Sequence, residues 1–580
     1  MISRAAETPI ISPQFLYSSA SSNSSQIIES LLKLERSATY PSVDFFAGKR
    51  TLTTLHSNPS QLFAATSFPK TLNLTSSELH LFTLLKSTPT PPSNTLRVAG
   101  GWVRDKILST LPLPSPVTSR LSHCPSLTQT SPVDIDIALS SVLGVTFASN
   151  FKELAGSTSS RVGVVGLNPE KSKHLETATM TFGSFYLDFV NLRTDTYTGS
   201  RIPDVKFGSP REDAFRRDLT INSLFFNLES MEVEDYTGMG LRDLRDGIIR
   251  TPLSPVETLL DDPLRVLRAV RFASRLRFEI CRELREAVGE EEVRKALREK
   301  VSRERFGREL DLIMSSDDPV GGVRLIVNLN LEESVFGRRI GRGESVLQKA
   351  WEVLENEEWQ EEGRRRLWYA SALVEGMETQ DGKNVMKDML KLPGKETEKV
   401  HIIQQTSKKF LELLEQGGDV IATALLMDGV KVEGFEGDRT DPIWKEAMEM
   451  RFRLAQILRY GGSSWRDGFV LATAERLAAL DLHLTDESLE TREDEENAEM
   501  QRFEALQAAI VELDLSNVAK LQPLLNGEEV KRILPGLPRG PGFRTVLDGQ
   551  MKFMIMNPGV GREEVEGWME EEFESFKYDV

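Results

Sequence analysis

The chain has 580 residues, 39% of them hydrophobic and 27% charged, with a formal net charge of -17. That balance suits a globular chain of several domains and excludes a weakly hydrophobic, disordered one. It also argues against a surface that binds nucleic acid everywhere, though a local basic cleft remains compatible with it. No apolar run approaches the roughly 18–20 residues of a membrane span. Two cysteines, Cys124 and Cys281, cannot build a disulfide framework or a cysteine zinc site, which fits a reducing compartment. The six histidines are scattered and none adjoins an aspartate, which argues against a histidine-based metal hydrolase.

Residues 1–70 are rich in Ser and Thr, poor in acids, and include Arg4, Lys33, Arg36, Lys49 and Arg50. A mitochondrial presequence has this composition, and so does a disordered extension. "SSELHLFTLLK" predicts a helix over 76–86 capped by Ser76 or Ser77. "LRVAGGWVRDKIL" reads as an apolar strand, a glycine pair and a helix start. Pro112 to Pro132 reads as a surface loop. "VDIDIALS" and "SFYLDFVNLRTD" alternate with period two and predict strands. After "FRRDLTINSLFFNL", the stretch "EVEDYTGMGLRDLRDGIIRTPLSP" predicts a hairpin or loop region. Helical patterns dominate from Thr258 to the C-terminus, and "TREDEENAEM" reads as a solvated acidic loop or helix face. The sequence shows no internal repeat. An α/β N-terminal part thus meets a long helical remainder near Pro252 and Pro255.

Three features carry chemistry. Asp134 and Asp136 are i and i+2 on a strand, so they share a face. Like charges that close repel unless a cation lies between them, and hard oxygen ligands suit Mg²⁺. A solvent-facing strand edge gives the same pattern. Asp188, on the "FYLDFVNL" strand, can add a third carboxylate. Gly100 and Gly101 precede a helix start, where backbone N–H groups can approach phosphate oxygens, and Arg104 can add a charge-assisted bond to a triphosphate. Last, "DDPLRVLRAVRFASRLR" (Asp261 to Arg277) holds five arginines and no lysine. Read as one helix, it sets Asp262 and Arg265 at i, i+3 on one face, with Arg268 and Arg271 continuing it. Val266, Ala269, Val270 and Ala273 form a core stripe on another side.

Taken in order, "LRVAGGWVRDKIL", "DIDIAL", "FRRDLTINSLFFNL", "DDPLRVLRAVRFASRLRF" and "SRERFGREL" resemble the motifs of class II tRNA nucleotidyltransferases, the CCA-adding enzymes. "GLNPEKSKHLETAT" resembles the eukaryotic, especially fungal, members. The resemblance spans roughly Leu72 to Leu312. It implies an α+β fold: a polymerase-β-like nucleotidyltransferase head with a small mixed sheet over 71–250, a helical neck with a templating helix over 251–330, and an all-helical body and tail for tRNA binding over 331–580. It implies two Mg²⁺ ions on Asp134 and Asp136, with Gly101, Arg104 and Arg217 at nucleotide-holding positions and Asp218 and Asn222 bracing the wall, four apart on a helix. Asp262 and Arg265 take the role of a protein template, with Arg268 and Arg271 contacting the nucleotide beside them. The chemistry agrees. A carboxylate only accepts and a guanidinium only donates, which suits the edges of cytosine and adenine and mismatches uracil and guanine. "SRERFGREL", with Ser302 as a possible N-cap, is expected to brace the neck through Arg305 and Glu309.

Bacterial relatives usually carry Glu-Asp where this chain has Asp261–Asp262, and the stretch 112–132 is an insertion relative to them. The phosphohydrolase tail of some bacterial members is not expected. The implied reaction is addition of CCA to tRNA from CTP and ATP, releasing pyrophosphate. CC-only, A-only or poly(A) addition, or a catalytically dead RNA-binding protein, would share the fold. A monomer is expected, located in mitochondria and/or cytoplasm and nucleus.

Overall fold

A computed structural model describes residues 71–110, 133–156, 163–165, 177–196, 204–354, 361–374, 379–427, 440–483, 489–538 and 540–577. The expectations for the 1–70 extension and the 112–132 loop, and most of the "GLNPEKSKHLETAT" motif, lie outside them.

In chain order the head comprises α1 (Ser76–Ser87), β1 (Leu96–Ala99), α2 (Gly101–Thr110), β2 (Val133–Leu139), α3 (Gly144–Ala155), β3 (Gly163–Val165), β4 (Thr177–Phe182), β5 (Phe185–Asn191), β6 (Arg193–Thr196), β7 (Asp204–Phe207), α4 (Pro210–Phe215), β8 (Leu224–Asn227), β9 (Glu232–Asp235), α5 (Gly240–Asp246) and β10 (Ile248–Ile249). The cap of α1 is Thr75, not Ser76 or Ser77: its hydroxyl accepts from Glu78 N–H while Glu78 accepts from Thr75 N–H. The region expected as hairpin or loop contains β9 and, beyond it, the short helix α5. The sequence "GLRDLRD" repeats its leucines at a helical step of three, and Gly247 in the left-handed region ends it.

Seven strands form one mixed sheet in the order β3-β4-β5-β2-β1-β8-β9. Only β2 and β5 run parallel within it. Period-two alternation gives the sheet two unlike faces. Ile135, Ile137, Leu187, Phe189, Val98 and Phe226 join the main core, under α1 and α3. The opposite face carries Asp134, Asp136 and Asp188, and beside them a small apolar patch of Ala99, Ala138, Leu192, Ala214 and Phe225.

The neck follows as α6 (Pro255–Asp261), α7 (Arg265–Leu276), β11 (Glu279–Ile280), α8 (Arg282–Gly289), α9 (Glu291–Lys300), α10 (Arg303–Met314) and α11 (Pro319–Asn328). The expected stripe of Val266, Ala269, Val270 and Ala273 is buried, and α7 packs on α10 and α11. The expected single helix through Asp262 and Arg265 fails. Asp262 and Arg265 are not on one helix: α6 ends at Asp261 and α7 begins at Arg265. Asp262 is extended (φ -139°, ψ 96°) because it precedes Pro263, and proline drives the residue before it out of the helical region.

Among the described residues no strand follows Ile280. The "TREDEENAEM" stretch is helical, inside Leu489–Glu512. The largest apolar core is continuous from the head through the neck into the helix Trp465–His483. Helix α10 packs tightly in this join. A Cβ on Gly307 would lie 1.8 Å from the Leu390 carbonyl oxygen, so only glycine lets α10 reach the segment after the π-helical turn Val385–Met389. No helix among the described residues is long and apolar enough to cross a membrane.

Candidate active site

The carboxylates come first. Asp136 and Asp188 are register partners on the parallel strands β2 and β5, and Asp134 lies two residues back on the same face. Burial pushes all three upward from the usual carboxylate range. Asp188 moves furthest, to about 6, from burial and then from the charges of Asp136 and Asp134. For Asp136, burial is opposed by Arg217 and reinforced by Asp134 and Asp213. Asp188 Oδ1 is buried with no hydrogen-bond partner. Three carboxylates that repel one another, one with an orphaned oxygen, make an acidic face whose repulsion a divalent cation would relieve. Among the described residues no three such side chains already gather around one metal position. The Asp134–Asp136 pair therefore fits an ion that completes its shell with substrate oxygens.

Gly100 forms the next wall. It sits at φ +72°, and its N–H donates to the Leu224 carbonyl at 3.0 Å. A Cβ there would lie 3.0 Å from Arg217 Nη1 and 3.8 Å from Asp136 Oδ2. Gly100, Asp136 and Arg217 are thus brought together, and Gly101 opens α2 beside them.

Arg217 is anchored rather than loose. Its guanidinium donates to Asp213 Oδ2 at 3.0 Å and the Asn222 carbonyl at 3.1 Å, and stacks over Phe225. Asp213 is 1% exposed and also holds Arg216. Burial alone would raise its carboxyl, but Arg217 and Arg216 outweigh burial and hold it below the usual range. Sequence reasoning passed over Asp213, although its i, i+3 and i, i+4 spacing to the two arginines was visible.

Arg104, expected at a nucleotide-holding position, is buried and already paired within the protein. It is 2% exposed, donates to Asn222 Oδ1 at 2.5 Å and to both Asp105 oxygens, and lies 4.8 Å from the Phe272 ring centre. Asp218 and Asn222 do meet, Nδ2 to Oδ1 at 3.2 Å, but on a bend and a 3₁₀ turn rather than one α-helix.

The neck closes the group. Arg265 donates to the Arg216 carbonyl at 2.6 Å and the Thr258 carbonyl at 3.3 Å. Arg268 pairs with buried Asp218 at 2.6 Å, and Arg271 with Glu309 at 2.8 Å. Arg104, Arg268 and Arg271 surround the Phe272 ring, at 4.8, 5.7 and 4.2 Å from its centre. Asp262 faces Arg305, which donates to Oδ1 at 3.1 Å and Oδ2 at 2.7 Å. So Arg305, expected only to brace the neck, bonds directly to the proposed templating Asp262, and Glu309 bonds Arg271 beside the template. No local signal gives these pairings, because 43 and 38 residues separate the partners. Arg275 reaches Asp105 at 3.4 Å.

A family model described as the Poly A polymerase head domain matches residues 96–250. The tRNA nucleotidyltransferase cca1 of Schizosaccharomyces pombe is 31% identical over 488 residues, 81% of this chain and 89% of that one. The chain belongs to the tRNA nucleotidyltransferase family. The mitochondrial CCA tRNA nucleotidyltransferase of Saccharomyces cerevisiae is 44% identical over 254 residues, 42% of this chain, and the chain spans 43% of that relative's length. The Thermotoga maritima CCA-adding enzyme complexed with tRNA shares the nucleotidyltransferase fold at a TM-score of 0.51 and 19% identity, over 86% of this chain and 96% of that one.

Proposed function

We propose that this nucleotidyltransferase adds C, C and A to tRNA 3′ ends from CTP and ATP, with Mg²⁺ and without a nucleic-acid template. The observation that carries the reading is the Asp134, Asp136 and Asp188 face, with its orphaned Asp188 oxygen and with the Arg217 charge acting on Asp136. Asp134 and Asp136 would hold Mg²⁺, and Asp188 would take part beside them. When bound, the metal lowers the cost of deprotonating the attacking 3′-hydroxyl and steadies the leaving pyrophosphate.

The chain's own residues supply position and selection. Arg217, fixed by Asp213, offers a guanidinium to the triphosphate. The glycine turn at Gly100 and Gly101 leaves room for it. Asp262 accepts from the amino group of cytosine or adenine, and Arg265 donates to the ring acceptor beside it. Arg268 and Arg271 line the same wall, and Arg104 supports it from beneath. tRNA would lie along the helical body, held by phosphate contacts that weaken with salt. The names of the yeast relatives support delivery to mitochondria, testable by cell fractionation with a tagged chain.

Incubating the protein with tRNA lacking one, two or all three terminal nucleotides, and with each NTP singly, tests the reading. CCA addition predicts C onto the two shorter ends and a single A onto the CC end. A alone incorporated onto a CC end, with no C onto shorter ends, would sink it. Runs of A would indicate poly(A) addition instead.

A further inference from the structure

We infer that Arg305 is a specificity-determining residue of the base-selecting site, acting by fixing the acceptor geometry of Asp262. The inference rests on the function proposed above and deepens it. A carboxylate offers about four lone-pair positions, two on each oxygen. On Asp262, Oδ1 accepts from Arg305 Nη1 at 3.1 Å and from the Leu264 N–H at 3.3 Å. Oδ2 accepts from Arg305 Nη2 at 2.7 Å. One acceptor position remains, on Oδ2. A single acceptor of fixed direction is what one exocyclic amino N–H requires. Without Arg305 the carboxylate can rotate about its χ2 bond, and a rotating carboxylate can meet water as readily as a base.

Arg305 is itself fixed. Its helix α10 is pinned on one side by the Gly307 contact with the Leu390 carbonyl. On the other side, Glu309, one turn further on, holds Arg271 at 2.8 Å and lies 3.7 Å from Arg268. Asp262 and the arginines that continue its wall, Arg268 and Arg271, are therefore referenced to one helix. The side chains of Arg305 and Asp262 are 35% and 30% exposed, so a nucleotide base can reach the pair. Two parallel N–H groups matched to the two oxygens call for arginine, since a lysine ammonium is a point donor that does not fix the carboxylate plane.

The test compares Asp262→Ala, Arg305→Ala and Arg305→Lys in single-nucleotide addition. Each is assayed with CTP against UTP on tRNA lacking CCA, and ATP against GTP on tRNA ending in CC. tRNA affinity and thermal melting are measured in parallel. Arg305→Ala is expected to lower both preferences roughly tenfold or more, while tRNA affinity stays within about twofold. Arg305→Lys should recover part of the preference. A merely structural role would move melting and overall rate but leave the preference ratios unchanged, and that result overturns the inference. Faster addition by Arg305→Ala would also overturn it, since Arg305 would then be a lock on Asp262. Should Arg305→Ala fail to fold, Arg305→Lys decides by the same ratios. Asp262→Ala separates the two levels. If it keeps both preferences, the base-reading function itself fails; if it loses them while Arg305 variants keep them, only the role of Arg305 fails.

Discussion

Asp136 and Asp188 lie opposite each other on parallel neighbouring strands, and the Asp188 carboxyl is pushed up to about 6 by burial and by its carboxylate neighbours. Its ordinary value is 3.8, so between about pH 4 and 6 the folded chain binds more protons here than the unfolded chain. This group's effect on stability therefore becomes less favourable as pH rises through that window. Asp188→Asn should flatten the change and raise the melting temperature of metal-free protein at pH 7. A lower melting temperature for the variant would contradict it. The same substitution should reduce nucleotide addition by roughly 100-fold, the scale of losing one electrostatic group at a reacting centre.

Gly100→Ala should harm activity more than stability. The left-handed conformation costs a Cβ-bearing residue about 1–2 kcal/mol. The new Cβ would also crowd Arg217 Nη1 at 3.0 Å, on the side facing Asp136. Thermal melting and steady-state kinetics on one preparation decide the point. Activity loss no greater than the stability loss accounts for would refute the crowding argument.

Asp213→Ala should cost about 3 kcal/mol, because it leaves Arg216 and Arg217 without their shared buried partner. The KM for CTP and for ATP should rise by similar factors, since Arg217 is assigned to the triphosphate that both share. Urea denaturation gives the first quantity and initial rates the second. A rise for only one nucleotide would move Arg217 from phosphate to base recognition.

Arg265→Ala should loosen the preference for C and A more than it weakens tRNA binding. Arg265→Lys should behave closer to Ala than to the parent, because one ammonium cannot span the Arg216 and Thr258 carbonyls and still present a planar edge. Competition between correct and incorrect NTPs reads this directly. Equal selectivity in parent and Ala variant would remove Arg265 from the template.

Gly307→Ala should destabilise the chain by about 1–3 kcal/mol, the usual cost of overpacking a tight contact. Its Cβ meets backbone, the Leu390 carbonyl, which cannot rotate away as a side chain would. Denaturant unfolding is the measurement, and an unchanged midpoint would mean that α10 is free to slide.

Much of the site was legible because it depends on short-range periodicity. The i, i+2 spacing of Asp134 and Asp136 fixes a shared strand face, and the structure keeps it. The Gly100 turn and the apolar stripe of α7 are equally local. The failures have local causes too. Pro263 was in plain view and breaks the helix that the arginine spacing suggested. α5 was missed because seven residues carry too little periodic signal.

Which side chains share a face and which family's motifs are present both follow from the order of neighbours along the chain. Their partners are set by how the elements pack. Asp188 reaches Asp136 because β5 pairs with β2, Arg104 is buried under Phe272, and Arg305 faces Asp262 because α10 crosses the break before α7. Hydrogen bonds between residues far apart in sequence leave no periodic trace, and packing alone sets which of many arginines meets which carboxylate.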